Sequence, residues 1–118
     1  MKQELNKKMN GNIESAVELS DEEFNEMINN SHKLVVVDFY AEWCMPCLML
    51  APVIEELAEN IKEVKFAKIN VDDNQALAGK YNVSSIPCLI IFKEGKEVDR
   101  IIGNQSQEVI EEKIKSHL

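Results

Sequence analysis

The chain has 118 residues, 45% of them hydrophobic, and a formal net charge of −8. This length corresponds to one domain, which can bury a core without the help of disulfides or metal. The acidic balance argues against nucleic acid or an anionic membrane as the main ligand, because both bind through a basic surface.

The first residues, MKQELNKKMNGN, are polar and show no periodicity, which predicts a mobile tail over 1–12 and one domain over 13–118. They lack the apolar core of a signal peptide, and no apolar run approaches the roughly 18 residues of a membrane span. We therefore expect a cytoplasmic protein. In that reducing compartment, close cysteines are more often catalytic or metal-binding than structural.

Strand and helix patterns alternate along the rest of the chain. AVEL predicts a short strand, and Ser20 begins a helix with Glu23 as its capping-box partner. KLVVVDFY is nearly continuous in β-branched and aromatic residues, which is typical of a strand covered on both faces. Apolar residues then recur at helical spacing from Leu50 to Ile61, with a kink expected at Pro52.

The second half continues this alternation. VKFAKINV predicts a strand, NQALAGKYNV a short helix, and CLIIFKEGKEVDRII an antiparallel hairpin that turns at Glu94–Gly95. Ser106 begins a last helix with Val109, Ile110 and Ile114 on its buried side. The order βαβαβαββα indicates an α/β domain with a mixed sheet of about four or five strands and about four helices.

Cys44 and Cys47 lie in the segment YAEWCMPCLMLAP, where the buried strand gives way to a helix. Since proline is favoured in the first helical turn, Pro46 places Cys44 at the helix N-terminus and Cys47 one turn inside, within disulfide reach. Free N–H groups and the helix dipole favour a thiolate at the first position. A thiol near pKa 8.5 is only about 3% ionised at pH 7, whereas one lowered to about 7 is half ionised.

Two other interpretations of this cysteine pair stay open at the level of sequence. The two residues would be inert if they were simply buried core thiols. A zinc site needs four ligands, and only Cys88, His32 and His117 are available besides the pair. A metal would therefore be bound more readily in a cluster shared between two chains than by one chain, and we expect no bound metal.

Asp38 interrupts a strand that is otherwise suited to full burial. Taking a lone carboxylate out of water is costly and normally raises its pKa. Because Asp38 precedes Cys44 by six residues, it can lie beneath the cysteines and relay a proton to or from Cys47. Lys68, on an otherwise apolar strand face, is a candidate counter-charge. Alternatively, Asp38 is a hydrogen-bonded carboxylate at a sheet edge and Lys68 a lysine that extends to solvent.

These motifs closely resemble the thioredoxin family. VVVDFYAEWCMPC, the AP at 51–52, SIPCLIIFKEGK and IIGN occur in the family's order and spacing, from about residue 13 to 118. The resemblance implies a thioredoxin fold and protein dithiol–disulfide exchange. It assigns Cys44 as the attacking cysteine, Cys47 as the resolving cysteine, Asp38 as the buried acid and Lys68 as its partner.

The resemblance also implies a cis peptide bond before Pro87, which sets the backbone of Ile86 beside the disulfide, free to pair with a substrate strand. The residues expected to contact a client protein are Trp43, Met45, Pro46, Ile86, Pro87 and Gly103.

Four positions depart from the commonest family pattern. Met45 stands where glycine is usual, and a change between the cysteines affects the redox potential, since about 30 mV shifts the equilibrium tenfold. Leu48 stands where a basic residue is common, so less positive charge faces the partner. Tyr40 stands where many members have tryptophan. Cys88 follows Pro87 where threonine is usual, either as a small buried residue or as a third thiol open to oxidation.

We expect a monomer that reduces disulfides in client proteins without a cofactor. A separate reductase must supply the electrons, because the chain has no nucleotide-binding pattern. The rivals are a disulfide oxidase or isomerase of the same fold, a glutathione-dependent enzyme, and a docking or chaperone subunit. The missing export segment argues against a disulfide oxidase or isomerase. Trp43 and the Met45–Pro46 pair fit a glutathione-dependent enzyme poorly. A docking subunit would keep its partners after both cysteines become serine.

Overall fold

The computed structural model describes residues 16–118. The predicted tail and the first residues of the predicted domain therefore lie outside the described residues. Strands and helices follow one another in the predicted order. They are β1 (Val17–Glu18), α1 (Asp21–Asn30), β2 (Leu34–Tyr40), α2 (Met45–Asn60), β3 (Val64–Asn70), α3 (Gln75–Lys80), β4 (Cys88–Lys93), β5 (Lys96–Ile102) and α4 (Gln107–Lys115).

The strands form one mixed sheet in the order β1-β3-β2-β4-β5. β3 runs parallel to both of its neighbours, β1 and β2, whereas β4 is antiparallel to β2 and to β5. β4 and β5 form the predicted hairpin. Its central residues, Glu94 and Gly95, have positive φ angles of 52° and 83°, the combination that matches the twist of a two-residue hairpin. Within residues 16–118 the chain has five strands and four helices, which agrees with the predicted numbers, and the α/β class is confirmed.

Helices cover both faces of the sheet. Because side chains alternate along a strand, Leu34 and Val36 contact the α2 and α4 side, whereas Val35 and Val37 contact the α1 and α3 side. β2 is the middle strand of the sheet, so it is buried on both faces as predicted. Asp38 follows Val36 by two residues and consequently lies on the α2 side.

The helix ends follow local sequence signals. Ser20 accepts from the Glu23 backbone N–H, and the Glu23 side chain accepts from the Ser20 N–H, which completes the predicted capping box. Ser106 caps α4 in the same way through the N–H of Val109. α2 contains Pro52 in its interior, and the kink expected there stays a prediction.

The predicted burial of Val109 is wrong. This side chain is 45% exposed, whereas Ile110 and Ile114 are fully buried. Consecutive helical residues point about 100° apart, and the narrow contact of α4 with the sheet is filled by the two isoleucines one turn apart. Val109 therefore lies beside the contact and faces solvent.

Candidate active site

The two cysteines form a disulfide at the start of α2. Cys44 is the N-cap residue and Pro46 lies in the first turn, as the sequence predicts. The Cα atoms of Cys44 and Cys47 are 5.2 Å apart, within the normal range for a disulfide. The backbone N–H of Cys47 donates to Sγ of Cys44 over 3.3 Å. A free helical N–H thus points at the sulfur that would carry negative charge after reduction.

Three chain segments close around this disulfide. Ala41, Tyr40, Val71 and Ile86 pack against the cysteine pair, and both cysteines are buried. Sγ of Cys44 lies 3.9 Å from the carbonyl oxygen of Ile86. The disulfide is therefore covered on one side by the backbone of the loop before β4.

That loop has the backbone conformation that the family resemblance implies. The Ile86–Pro87 peptide bond is cis. The carbonyl of Pro87 accepts from the N–H of Gly103 over 2.8 Å, and Gly103 has a φ of 87°, a region that favours glycine. Within residues 16–118, the backbone of Ile86 makes no hydrogen bond to another backbone group.

The side chains next to the disulfide are exposed. Trp43 is 71% exposed and Met45 65% exposed, and Pro46 also faces solvent. The indole N–H of Trp43 donates to Oδ2 of Asp72 over 2.8 Å. Sequence reasoning missed Asp72, although a signal was present. Asp72 follows the carboxyl end of β3 just as the cysteine segment follows β2, and the ends of parallel strands meet at one edge of a sheet.

Asp38 lies in the interior with an unfavourable environment for its charge. The residue is 4% exposed, and Oδ1 has no hydrogen-bond partner among the described residues. Burial raises the pKa of this carboxyl from 3.8 to about 7, while the positive charge of Lys68 acts to lower it and the negative charge of Glu18 to raise it. β2 is the central strand, so the alternative of an edge carboxylate is wrong.

Lys68 stands between two carboxylates on neighbouring strands. It pairs in register with Asp38 on β2 and with Glu18 on β1, so the three side chains form one row on the α2 side of the sheet. The hydroxyl of Tyr40 donates to Oε1 of Glu18 over 2.5 Å. Burial and this hydrogen bond raise the pKa of Tyr40. Glu18 was not expected at the site, because the pairing of β1 with β3 is not visible in a single sequence.

Cys88 is a free thiol that is 1% exposed. It packs among the residues of the α1 and α3 side, including Phe39 and Phe92, and not with the Cys44–Cys47 pair. Burial raises the pKa of its thiol. These features match the expectation of a small buried residue.

Two further features bear on the alternatives raised by the sequence. Within residues 16–118, no group of three or more His, Cys, Asp or Glu side chains is arranged to hold a metal ion. No helix in the same range is long and apolar enough to cross a membrane.

Comparison with known proteins identifies the family. The model of the thioredoxin family matches residues 15–116. The chain belongs to the thioredoxin family. It is 48% identical over 99 residues to the thioredoxin of Chlamydia caviae, which covers 84% of this chain and 95% of the relative. It is 45% identical over 102 residues to the thioredoxin of Chlorobaculum thiosulfatiphilum, with coverage of 86% and 94%.

Solved structures of thioredoxins share the fold. A thioredoxin variant from Halobacterium salinarum superposes with a TM-score of 0.78 at 38% identity and covers 90% of this chain and 95% of its own. The thioredoxin NaTrxh from Nicotiana alata gives a TM-score of 0.82 at 34% identity, with coverage of 88% and 93%. With its disulfide-forming cysteine pair, this chain is a thiol–disulfide oxidoreductase and a protein-disulfide reductase. The family acts on disulfide substrates and is itself reduced by a reductase.

Proposed function

We propose that this protein works as a reductant whose attacking group is Cys44 and whose resolving group is Cys47. The observation that carries the proposal is the position of the Cys44 sulfur. It lies at the start of α2, accepts the N–H of Cys47 over 3.3 Å, and sits 3.9 Å from the carbonyl of Ile86. The helix start favours a thiolate, and the neighbouring backbone offers a place for the client.

The reaction consists of two thiol–disulfide exchanges. The Cys44 thiolate attacks one sulfur of a client disulfide, which forms a mixed disulfide and releases the other client sulfur as a thiolate. The Cys47 thiolate then attacks Sγ of Cys44, which restores the internal disulfide and releases the second client sulfur. Two electrons pass to the client, and two protons accompany them to give its dithiol.

Asp38 is proposed to accept the proton that Cys47 loses before it attacks. Its pKa of about 7 is close to ambient pH, where a general acid or base works best. It lies on the face of the sheet that α2 covers, and α2 begins at the two cysteines. Lys68, opposite Asp38 in register, acts as a positioning residue that limits how far the pKa rises.

The client is proposed to lie as an extended strand along Ile86, with its cysteine over Cys44. The cis bond before Pro87 and the hydrogen bond from Gly103 fix the conformation of this loop. Trp43, Met45 and Pro46 would contact the client from the other side. Monomeric state and cytoplasmic location stay predictions, which sedimentation and cell fractionation would test.

Reduction of insulin disulfides with dithiothreitol as electron donor tests the proposal. Cys44→Ser should abolish the activity, whereas Cys88→Thr should keep it, because Cys88 packs in another part of the core. Full activity of Cys44→Ser would refute the assignment. A loss in Cys88→Thr as large as that in Cys44→Ser would make the third thiol a participant.

The mixed disulfide provides a second test. In Cys47→Ser the resolving step is lost, so client proteins should accumulate as adducts on Cys44. Mass spectrometry of the trapped species identifies the attached cysteine and the clients together. Adducts located on Cys88 instead of Cys44 would contradict the proposed order of attack.

A further inference from the structure

An apolar surface continues from the disulfide along the exposed side of α2. Met45, Leu48 and Met49 are 65%, 50% and 61% exposed, and Trp43 precedes them at 71%. Residues three and four apart lie on one side of a helix, so the three α2 residues form one surface, which we call the α2 apolar surface. The opposite side of α2, with Leu50, packs on the sheet. Large apolar side chains grouped at a protein surface mark interaction sites.

The α2 apolar surface is continuous with the place where a client must bind. Met45 follows Cys44 directly and Leu48 follows Cys47 directly. A client segment that brings a cysteine to the Cys44 sulfur therefore also covers these side chains. The occupant is consequently the client polypeptide on either side of its disulfide.

The rim of this surface is acidic. The segments that close around the disulfide, residues 40–52, 70–74 and 83–87, contain no lysine or arginine. They do contain Glu42, Asp72 and Asp73, all of which are exposed. Asp72 is held at the site by its hydrogen bond from Trp43. Glu42 precedes Trp43 and Asp73 follows Asp72, so these negative charges lie beside Trp43 at one end of the apolar surface, and the same three segments contribute no compensating cation.

We propose that this surface selects client disulfides flanked by apolar and basic residues and discriminates against acidic flanks. The inference rests on the proposed function, since it names the substrate class of that same site. Apolar flanks gain by covering the α2 apolar surface. Basic flanking residues are attracted to the acidic rim, whereas acidic flanking residues are repelled by it. This electrostatic attraction or repulsion acts mainly on the association rate.

Two disulfide-bonded peptides that differ only in two flanking residues, lysine or glutamate, test the charge selection. The rate constant kcat/KM should favour the lysine peptide by about fivefold in about 10 mM salt, since one exposed ion pair contributes up to about that factor. The preference should disappear in about 1 M salt, where charges are screened within about 3 Å. Equal rates at both salt concentrations would overturn the proposal.

Charge-reversal variants locate the effect. Glu42→Lys combined with Asp73→Lys should reverse the preference between the peptides. The matched control, Glu59→Lys with Glu112→Lys, makes the same change in net charge at exposed positions outside the three segments. It should keep the preference for lysine. A reversal in both double variants would show that only the net charge matters and would overturn the proposal.

The apolar component has its own pair of variants. Leu48→Lys should raise the KM for a peptide with leucine flanks by about fivefold. Val98→Lys, which changes a valine 40% exposed on β5, should leave that KM unchanged. Equal effects of the two substitutions would contradict an apolar contact at Leu48.

A neutral small disulfide, 2,2′-dithiodipyridine, separates this inference from the proposed function. The wild type and the control variants, Glu59→Lys with Glu112→Lys and Val98→Lys, should react with it at similar rates through Cys44. Reduction of both peptides at equal rates would refute the selection alone. Failure of the reduced wild type to react with either peptide or with dithiodipyridine would refute the proposed function as well.

Discussion

Asp38 is a buried carboxyl whose ionisation the fold opposes, and asparagine at this position removes the ionisation while nearly keeping the size of the side chain. Burial raises its pKa from 3.8 to about 7. Between these two values the folded protein holds a proton that the unfolded chain has released, so the free energy of unfolding falls as pH rises. The stabilising contribution is complete below about pH 4 and is lost as pH passes through about 7.

The size of this effect follows from the shift in pKa. Each unit corresponds to about 1.4 kcal/mol, so the ionised form of Asp38 costs on the order of 4 kcal/mol once the pH is well above 7. About two of the three pH units that separate the unfolded and folded pKa values of Asp38 lie between pH 5 and pH 8.5. The wild type should therefore lose about 3 kcal/mol relative to Asp38→Asn over this interval.

Chemical unfolding at a series of pH values measures the difference. The free energy of unfolding of Asp38→Asn minus that of the wild type should rise from pH 5 to about pH 8 and stay level above it. Glu59→Gln, which removes an exposed carboxylate, serves as the matched control and should give a flat difference. Parallel stability curves for Asp38→Asn and wild type would refute the assigned burial cost.

Three further substitutions test separate contacts. Glu18→Gln removes the negative charge that acts on Asp38 across Lys68, so NMR titration should show a lower Asp38 pKa, and an unchanged or higher value would contradict this coupling. Asp72→Ala removes the hydrogen-bond acceptor of the Trp43 indole. The fluorescence emission of this tryptophan, the only one in the chain, should therefore shift, and the KM for insulin should rise about threefold. An unaltered emission spectrum would show that the hydrogen bond is absent in solution. Ser20→Ala should lower the free energy of unfolding by about 1 kcal/mol, because it removes a helix cap, and denaturation that matches the wild type would count against the capping box.

Local signals were sufficient to predict much of the fold. The capping box at Ser20, the hairpin turn at Glu94–Gly95 and the place of Cys44 at the start of α2 each depend on a few neighbouring residues. Val109 shows the limit of this reasoning. Helical spacing identifies the side of a helix that is buried but does not give the width of the contact, which depends on the packed partner.

The parts of the site that were missed come from pairings between distant segments. The hydrogen bond from Trp43 to Asp72 joins the ends of β2 and β3, and the place of Glu18 beside the expected pair of Lys68 and Asp38 needs the order β1-β3-β2. A single sequence does not fix this order. The cis bond before Pro87 was expected from family resemblance alone, since the sequence around a proline does not determine its isomer.

The rate at which the reduced protein is alkylated by iodoacetamide, followed against pH, tests the central claim most directly. Cys44→Ser provides the blank for reaction at Cys47 and Cys88. If the start of α2 stabilises the anion of Cys44, its pKa will lie below that of an ordinary thiol and the fast phase will already be present at neutral pH. A rate that rises only in alkaline solution, as for an unperturbed thiol, would contradict the account.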